Sequence, residues 1–133
     1  MAAGNYSFTI EQGATTDFEI TYKDSSNNPV DLAGYTARMQ LRPGIGSDTV
    51  ILTLSSSLGP CGTGLNLSGS NGTTPLASGS IGVFISAVSS SQLSFENAQY
   101  DLEIASGSGN CAVVTRLLKG SVKLSKEITQ GLY

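Results

Sequence analysis

The stretch DLAGYTARMQLR, Asp31 to Arg42, carries the first decision about the fold. It starts among turn formers, with Asn28, Pro29 and Gly34 close by, and it ends in strict alternation. Ala37, Met39 and Leu41 fall on one side; Arg38, Gln40 and Arg42 fall on the other. Side chains of an extended strand point alternately to opposite faces, so this is a strand with one face in a core and one in water. Only 13% of the chain is charged, so two arginines on one open strand face ask what they meet.

The same period of two recurs outward in both directions. NYSFTI alternates Tyr6, Phe8 and Ile10, and DFEITYK sets Phe18, Ile20 and Tyr22 against Asp17, Glu19 and Thr21. KDSSNNPV is rich in residues that bend a chain by local side-chain bonds or a fixed φ. After PGIGS come DTVILTL and the short TGLNL, then SIGVFISA with Ile81, Val83 and Ile85 on one face. QYDLEIA turns Tyr100, Leu102 and Ile104 inward and Asp101 and Glu103 outward. CAVVTRLLKG and SVKLSKEIT read as a closing hairpin around Gly120, and SAVSSSQLSFENA reads as a single helical turn or a corner. Ser68 to Ser80, SGSNGTTPLASGS, reads as a flexible loop. About eight short strands with turns every 8–12 residues or so predict one all-β domain over residues 1–133, an antiparallel β-sandwich.

Composition narrows the classes of function. The chain has 133 residues, room for one core, and a net charge of −3 with no polybasic block. Binding to nucleic acid needs clustered Lys and Arg, so no nucleic-acid partner is expected. No run reaches the roughly 18 apolar residues of a membrane helix, and MAAGNYSFTIEQGATT lacks the basic start and apolar centre of a secretory signal. Synthesis in a cytoplasm, or export by a route other than its own signal, is the expectation. Low charge leaves little repulsion between copies, which favours self-association.

Cys61 and Cys111 lack the C-x-x-C spacing of zinc or redox sites, and either a disulfide between them or two free thiols fits the sequence. With no histidine in the chain, the commonest general base and transition-metal ligand is missing. Paired carboxylates could perform glycosidase chemistry, but Asp101 with Glu103 and Asp17 with Glu19 lie on outward strand faces. KDSSNN offers oxygen donors yet lacks the acidic density and closing Glu of a calcium loop. No catalysis, metal or cofactor is expected. The sequons at Asn5, Asn66 and Asn71 are the chance yield of a Ser/Thr/Asn-rich chain.

The order of several motifs resembles that of small virion proteins of tailed bacteriophages. In that group a strand leads to a G-x-P-x-D-L-x-G-Y turn and a strand ending in Arg. A Y-D-L-E strand and a terminal L-x-G-x-V hairpin follow. Here Asn28, Pro29, Val30, Asp31, Leu32, Gly34 and Tyr35 form the turn, with Asn28 where Gly is usual; Arg38 and Arg42 follow it. Tyr100 to Glu103 make the acidic strand, and Leu118, Gly120, Val122, Leu124, Ile128 and Thr129 the ending. The resemblance leaves out Leu58 to Ser78 and extends to the N-terminal docking domain of phage baseplate upper proteins. It implies an Ig-like sandwich, a place in the virion among other virion proteins and in multiple copies, and assembly in the host cytoplasm. Tail, baseplate or neck is the place it implies first, and capsid decoration second. A host-surface glycan-binding module is the competing class, weakened by the absence of Trp and the inward placement of most Tyr and Phe.

Two readings of Arg38, Gln40 and Arg42 stay open: a polar face balanced by neighbouring carboxylates, or an assembly contact with an acidic patch on another subunit. Asp31 is expected to cap the turn that contains Gly34 and that Tyr35 closes. Tyr35 is expected to anchor the core edge, and Tyr100 to bond back to the chain near a corner.

Overall fold

Ala37, Met39 and Leu41 are buried in β4 (Tyr35–Arg42), the centre from which the rest of the protein is built. The computed structural model describes residues 4–107 and 109–129; the outer ends of the expected 1–133 domain and Ser108 of the GSGN turn lie outside them. On one side β4 pairs antiparallel with β5 (Leu52–Ser55), on the other with β8 (Asn97–Ser106), which pairs in turn with β9 (Val113–Ser125). Two further strands, β1 (Gly4–Asn5) and β2 (Phe8–Glu11), complete a six-stranded sheet along β9. The second sheet has three antiparallel strands in the order β3 (Thr16–Thr21), β7 (Ser80–Ile85), β6 (Gly64–Asn66).

The two sheets share one core, a sandwich-like arrangement. Met39, Leu41, Leu54, Leu102 and Ile104 of the large sheet join Leu65, Ile81, Val83 and Ile85 of the small one in a single apolar cluster. Removing each such Leu or Ile from water contributes roughly 1.5–3 kcal/mol. Every inward position read from alternation in β4, β7 and β8 is buried.

The large sheet is mixed rather than purely antiparallel, because β1 and β2 both run parallel to β9. NYSFTI is accordingly two strands in one register, interrupted at Tyr6 and Ser7. The expected closing hairpin is a single 13-residue strand, and Gly120 lies in its middle. Its glycine serves close approach, not a turn: a Cβ there would overlap the Tyr6 carbonyl and come within 3.2 Å of Tyr100 Cε1. Tyr100 pairs across the sheet with Gly120, and its hydroxyl passes over to donate to the Tyr6 carbonyl at 2.5 Å. Ser7 Oγ accepts the Ser121 N–H at 3.3 Å, so side chains replace ladder bonds where β1 and β2 part.

SAVSSSQLSFENA begins with one short helix, α1 (Ala87–Ser91), capped by the Ser86 side chain accepting from the Ser89 N–H. The buried Ser90 hydroxyl accepts from the Gly13 N–H at 3.0 Å and donates to the Ala14 carbonyl at 2.8 Å, tying α1 to the β2–β3 turn. Of the Ser68–Ser80 stretch, Ser80 opens β7, and the loop before it lies against the outer side of that strand, where a Cβ on Gly82 would meet Ser70 Cα at 2.7 Å. Glu19 Oε1 accepts the Ser70 N–H, while Asn66 and Asn71 accept backbone N–H groups of their own turns. No described helix is long and apolar enough to cross a membrane.

Candidate functional site

The outer face of the large sheet is where the two arginines of the opening stretch lie, and register assembles it in rows. Arg38 stands opposite Glu103 on β8, which stands opposite Arg116 on β9. The next row runs Gln40, Asp101, Lys119 and Asn5 across four strands. A third holds Arg42, Gln99 and Ser121. The turn from Gly44 to Gly46 rises over one end, with Ile45 95% exposed, and the whole encloses a groove of about 760 Å³.

The pairings decide which side chains are free. Arg38 Nε donates to Glu103 Oε1 at 3.0 Å. Arg116 Nε lies 3.3 Å from Asp101 Oδ2, a diagonal pair along the same face. Arg42 meets no carboxylate among the described residues. Its Nη1 donates to the Ser47 carbonyl at 2.6 Å and its Nη2 to Gln40 Oε1 at 2.9 Å, so it clamps the overhanging turn. The close approach in both exposed ion pairs is through Nε, and each pair adds no more than about 1 kcal/mol to stability. The terminal nitrogens of Arg38 and Arg116 therefore stand as open forks, the geometry that binds a carboxylate through two bonds.

Four of the chain's seven cations line this groove against two carboxylates, Asp101 and Glu103, leaving a local surplus of two positive charges on a protein of net charge −3. Arg38, Gln40 and Arg42 are thus together, as read from the sequence, and the expected neighbour strand with Asp101 and Glu103 is beside them. Arg116 and Lys119 are the members that sequence reading missed. Three residues apart, they would fall on opposite faces of a regular strand. A β-bulge leaves Leu117 without a cross-strand partner, since Glu103 pairs with Arg116 and Leu102 with Leu118, and so turns both cations outward.

The structural positions take their own places. Asp31 Oδ1 accepts the Ala33 N–H at 2.9 Å, Gly34 has φ +81°, and Tyr35 packs half-buried against the core where β4 begins. Tyr100 does bond to the backbone, but to Tyr6 on the far side of β9 rather than to a nearby corner. Burial, and then the Tyr6 phenol, push its hydroxyl up to about 12. Asp24 Oδ1 is taken up by the N–H groups of Ser26 and Asn28, so KDSSNN folds on its own carboxylate. Cys61 and Cys111 are exposed and free. No group of three or more His, Cys, Asp or Glu side chains comes together among the described residues.

Tyr6, Phe8, Phe18 and Tyr100 cluster with centroids 5.0–6.2 Å apart at the β1–β2 margin of the core. Among the described residues the groove carries no exposed aromatic ring; Tyr100, the one aromatic residue lining it there, is buried. No protein-family model and no curated protein matches the chain.

Proposed function

We propose that the chain is a non-enzymatic structural component of a tailed-bacteriophage particle, an Ig-like β-sandwich that docks onto other virion proteins in the tail, baseplate or neck region. The observation that carries this reading is the open face of the large sheet. It holds two guanidinium groups, Arg38 hydrogen-bonded through Nε to Glu103 and Arg116 beside Asp101, whose outer nitrogens make no hydrogen bond among the described residues. Such a face is built for a carboxylate-bearing protein surface. A fork held in place by one carboxylate loses less freedom when it binds a second, so modest contacts repeated over many copies hold an array.

The motif order over DLAGY, YDLE and the ending at Thr129 supports the phage assignment. The absence of an exposed aromatic platform in the groove among the described residues favours protein docking over sugar binding. Manufacture in the host cytoplasm and residence in the virion follow from this reading.

Immunogold electron microscopy of particles from the source lysate, with antibody against this chain, tests it. Gold at one end of the tail supports docking there, and gold over the head moves the protein to capsid decoration. Unlabelled particles with the antigen free in the supernatant overturn the virion assignment.

A further inference from the structure

The two outer faces of the protein carry opposite signs. On the large sheet the groove has a surplus of two positive charges. On the small sheet the outward positions of β3 are Asp17, Glu19 and Thr21, and the outward positions of β7 beside them are Ser80, Gly82 and Phe84. None of these outward positions carries a cation. The segment lying over that face, residues 67–79, has no charged residue at all. Asp17 is exposed and makes no side-chain hydrogen bond or ion pair among the described residues; Glu19 offers one oxygen to Ser70.

Resting on the assembly role proposed above, we infer that the groove's partner is a second copy of this chain. The Arg38 and Arg116 forks of one copy take the Asp17 and Glu19 carboxylates of the next. Alternate residues on a strand stand about 7 Å apart, so the two carboxylates present themselves as a pair. Two-fold pairing of groove on groove sets positive against positive, and pairing of β3 faces sets negative against negative. The contact is therefore heterologous, front to back, and it repeats until it closes as a ring or runs on as a filament.

Sedimentation velocity on the full chain tests this. At 50 mM NaCl the mean mass rises with protein concentration, and at 500 mM NaCl the apparent dissociation constant is at least about tenfold weaker, because exposed charges are screened. Two charge-reversed chains, Arg38→Glu with Arg116→Glu and Asp17→Lys with Glu19→Lys, each remain monomeric alone and associate when mixed. Circular dichroism melts show whether each is folded. If either is not, Arg116→Gln and Asp17→Asn replace them, and each weakens association and its salt dependence. A wild-type chain that stays monomeric at both salts, or folded variants that associate alone or fail to complement, overturns the inference. If the wild type is monomeric yet the Arg38 and Arg116 variant no longer enters particles, docking stands and the second-copy partner falls.

Discussion

Replacing Tyr100 by Phe removes one hydroxyl and with it two separable effects. The first is the hydrogen bond to the Tyr6 carbonyl, at 2.5 Å, which bridges β8 and the first strands across Gly120. Its loss should cost about 0.5–1.5 kcal/mol at neutral pH. The second is a pH dependence. Burial and the Tyr6 phenol raise the Tyr100 hydroxyl from 10.0 to about 12, so the folded protein keeps a proton that the unfolded chain releases. Below pH 10 both states hold it, and the group adds no slope. Above pH 10 the unfolded state binds fewer protons, and stability falls until the folded state also ionises near pH 12. Two units would amount to about 2.7 kcal/mol; solvent reaching the half-exposed Tyr6 side reduces this to about 1–2 kcal/mol.

Urea unfolding followed by far-ultraviolet circular dichroism, at intervals from pH 8 to 12, reads both effects. The two proteins differ only in this hydroxyl, so the difference between their stabilities reads Tyr100 together with its coupling to Tyr6. Wild type should lead at pH 8, and its lead should shrink or reverse by pH 12. A constant difference across that range would refute the account of Tyr100 as a buried, proton-holding bridge.

Gly120→Ala should lower stability by about 1–3 kcal/mol, since its Cβ has nowhere to go between the Tyr6 carbonyl and the Tyr100 ring; hydrogen exchange should show Gly4 to Ser7 losing protection first. Ser90→Ala should cost about 1–2 kcal/mol in thermal or urea unfolding, because it strands the Gly13 N–H and Ala14 carbonyl beneath α1. Arg38→Ala should change unfolding stability by less than about 1 kcal/mol while weakening any contact made through the groove; a large loss of stability would make the residue a pillar of the sheet instead.

Period-two reading located the core well where strands are regular. Ala37, Met39 and Leu41, like Tyr100, Leu102 and Ile104, were legible because burial on one face imposes alternation on the residues themselves. It failed where the backbone departs from that period. Gly120 looks like punctuation between two apolar runs, and only the close approach of the Tyr6 carbonyl and the Tyr100 ring explains a glycine in mid-strand. The parallel run of β1 and β2 beside β9 has no local signature, since nothing in a strand's own residues names the direction of its neighbour. The groove was half legible for the same reason. Arg38, Gln40 and Arg42 share a regular strand, whereas Arg116 and Lys119 share a face only through the bulge at Leu117.

The pairing of β1 and β2 with β9 joins residues 114 positions apart, as Gly4 with Leu118 and Phe8 with Val122. Contacts of that reach come at a high cost in chain entropy and are late to form. During synthesis the first strands leave the ribosome with no partner, and they wait as extended segments until β9 is made. Until then the margin of β8 that later takes β9 lies open to any other strand nearby, including that of an unfinished sister chain on the same message. Closure of the sheet by β1 and β2 on β9 thus leaves the fold exposed to misassembly until β9 is made, and the Tyr100–Tyr6 bond is a latch that fastens only when that interval ends.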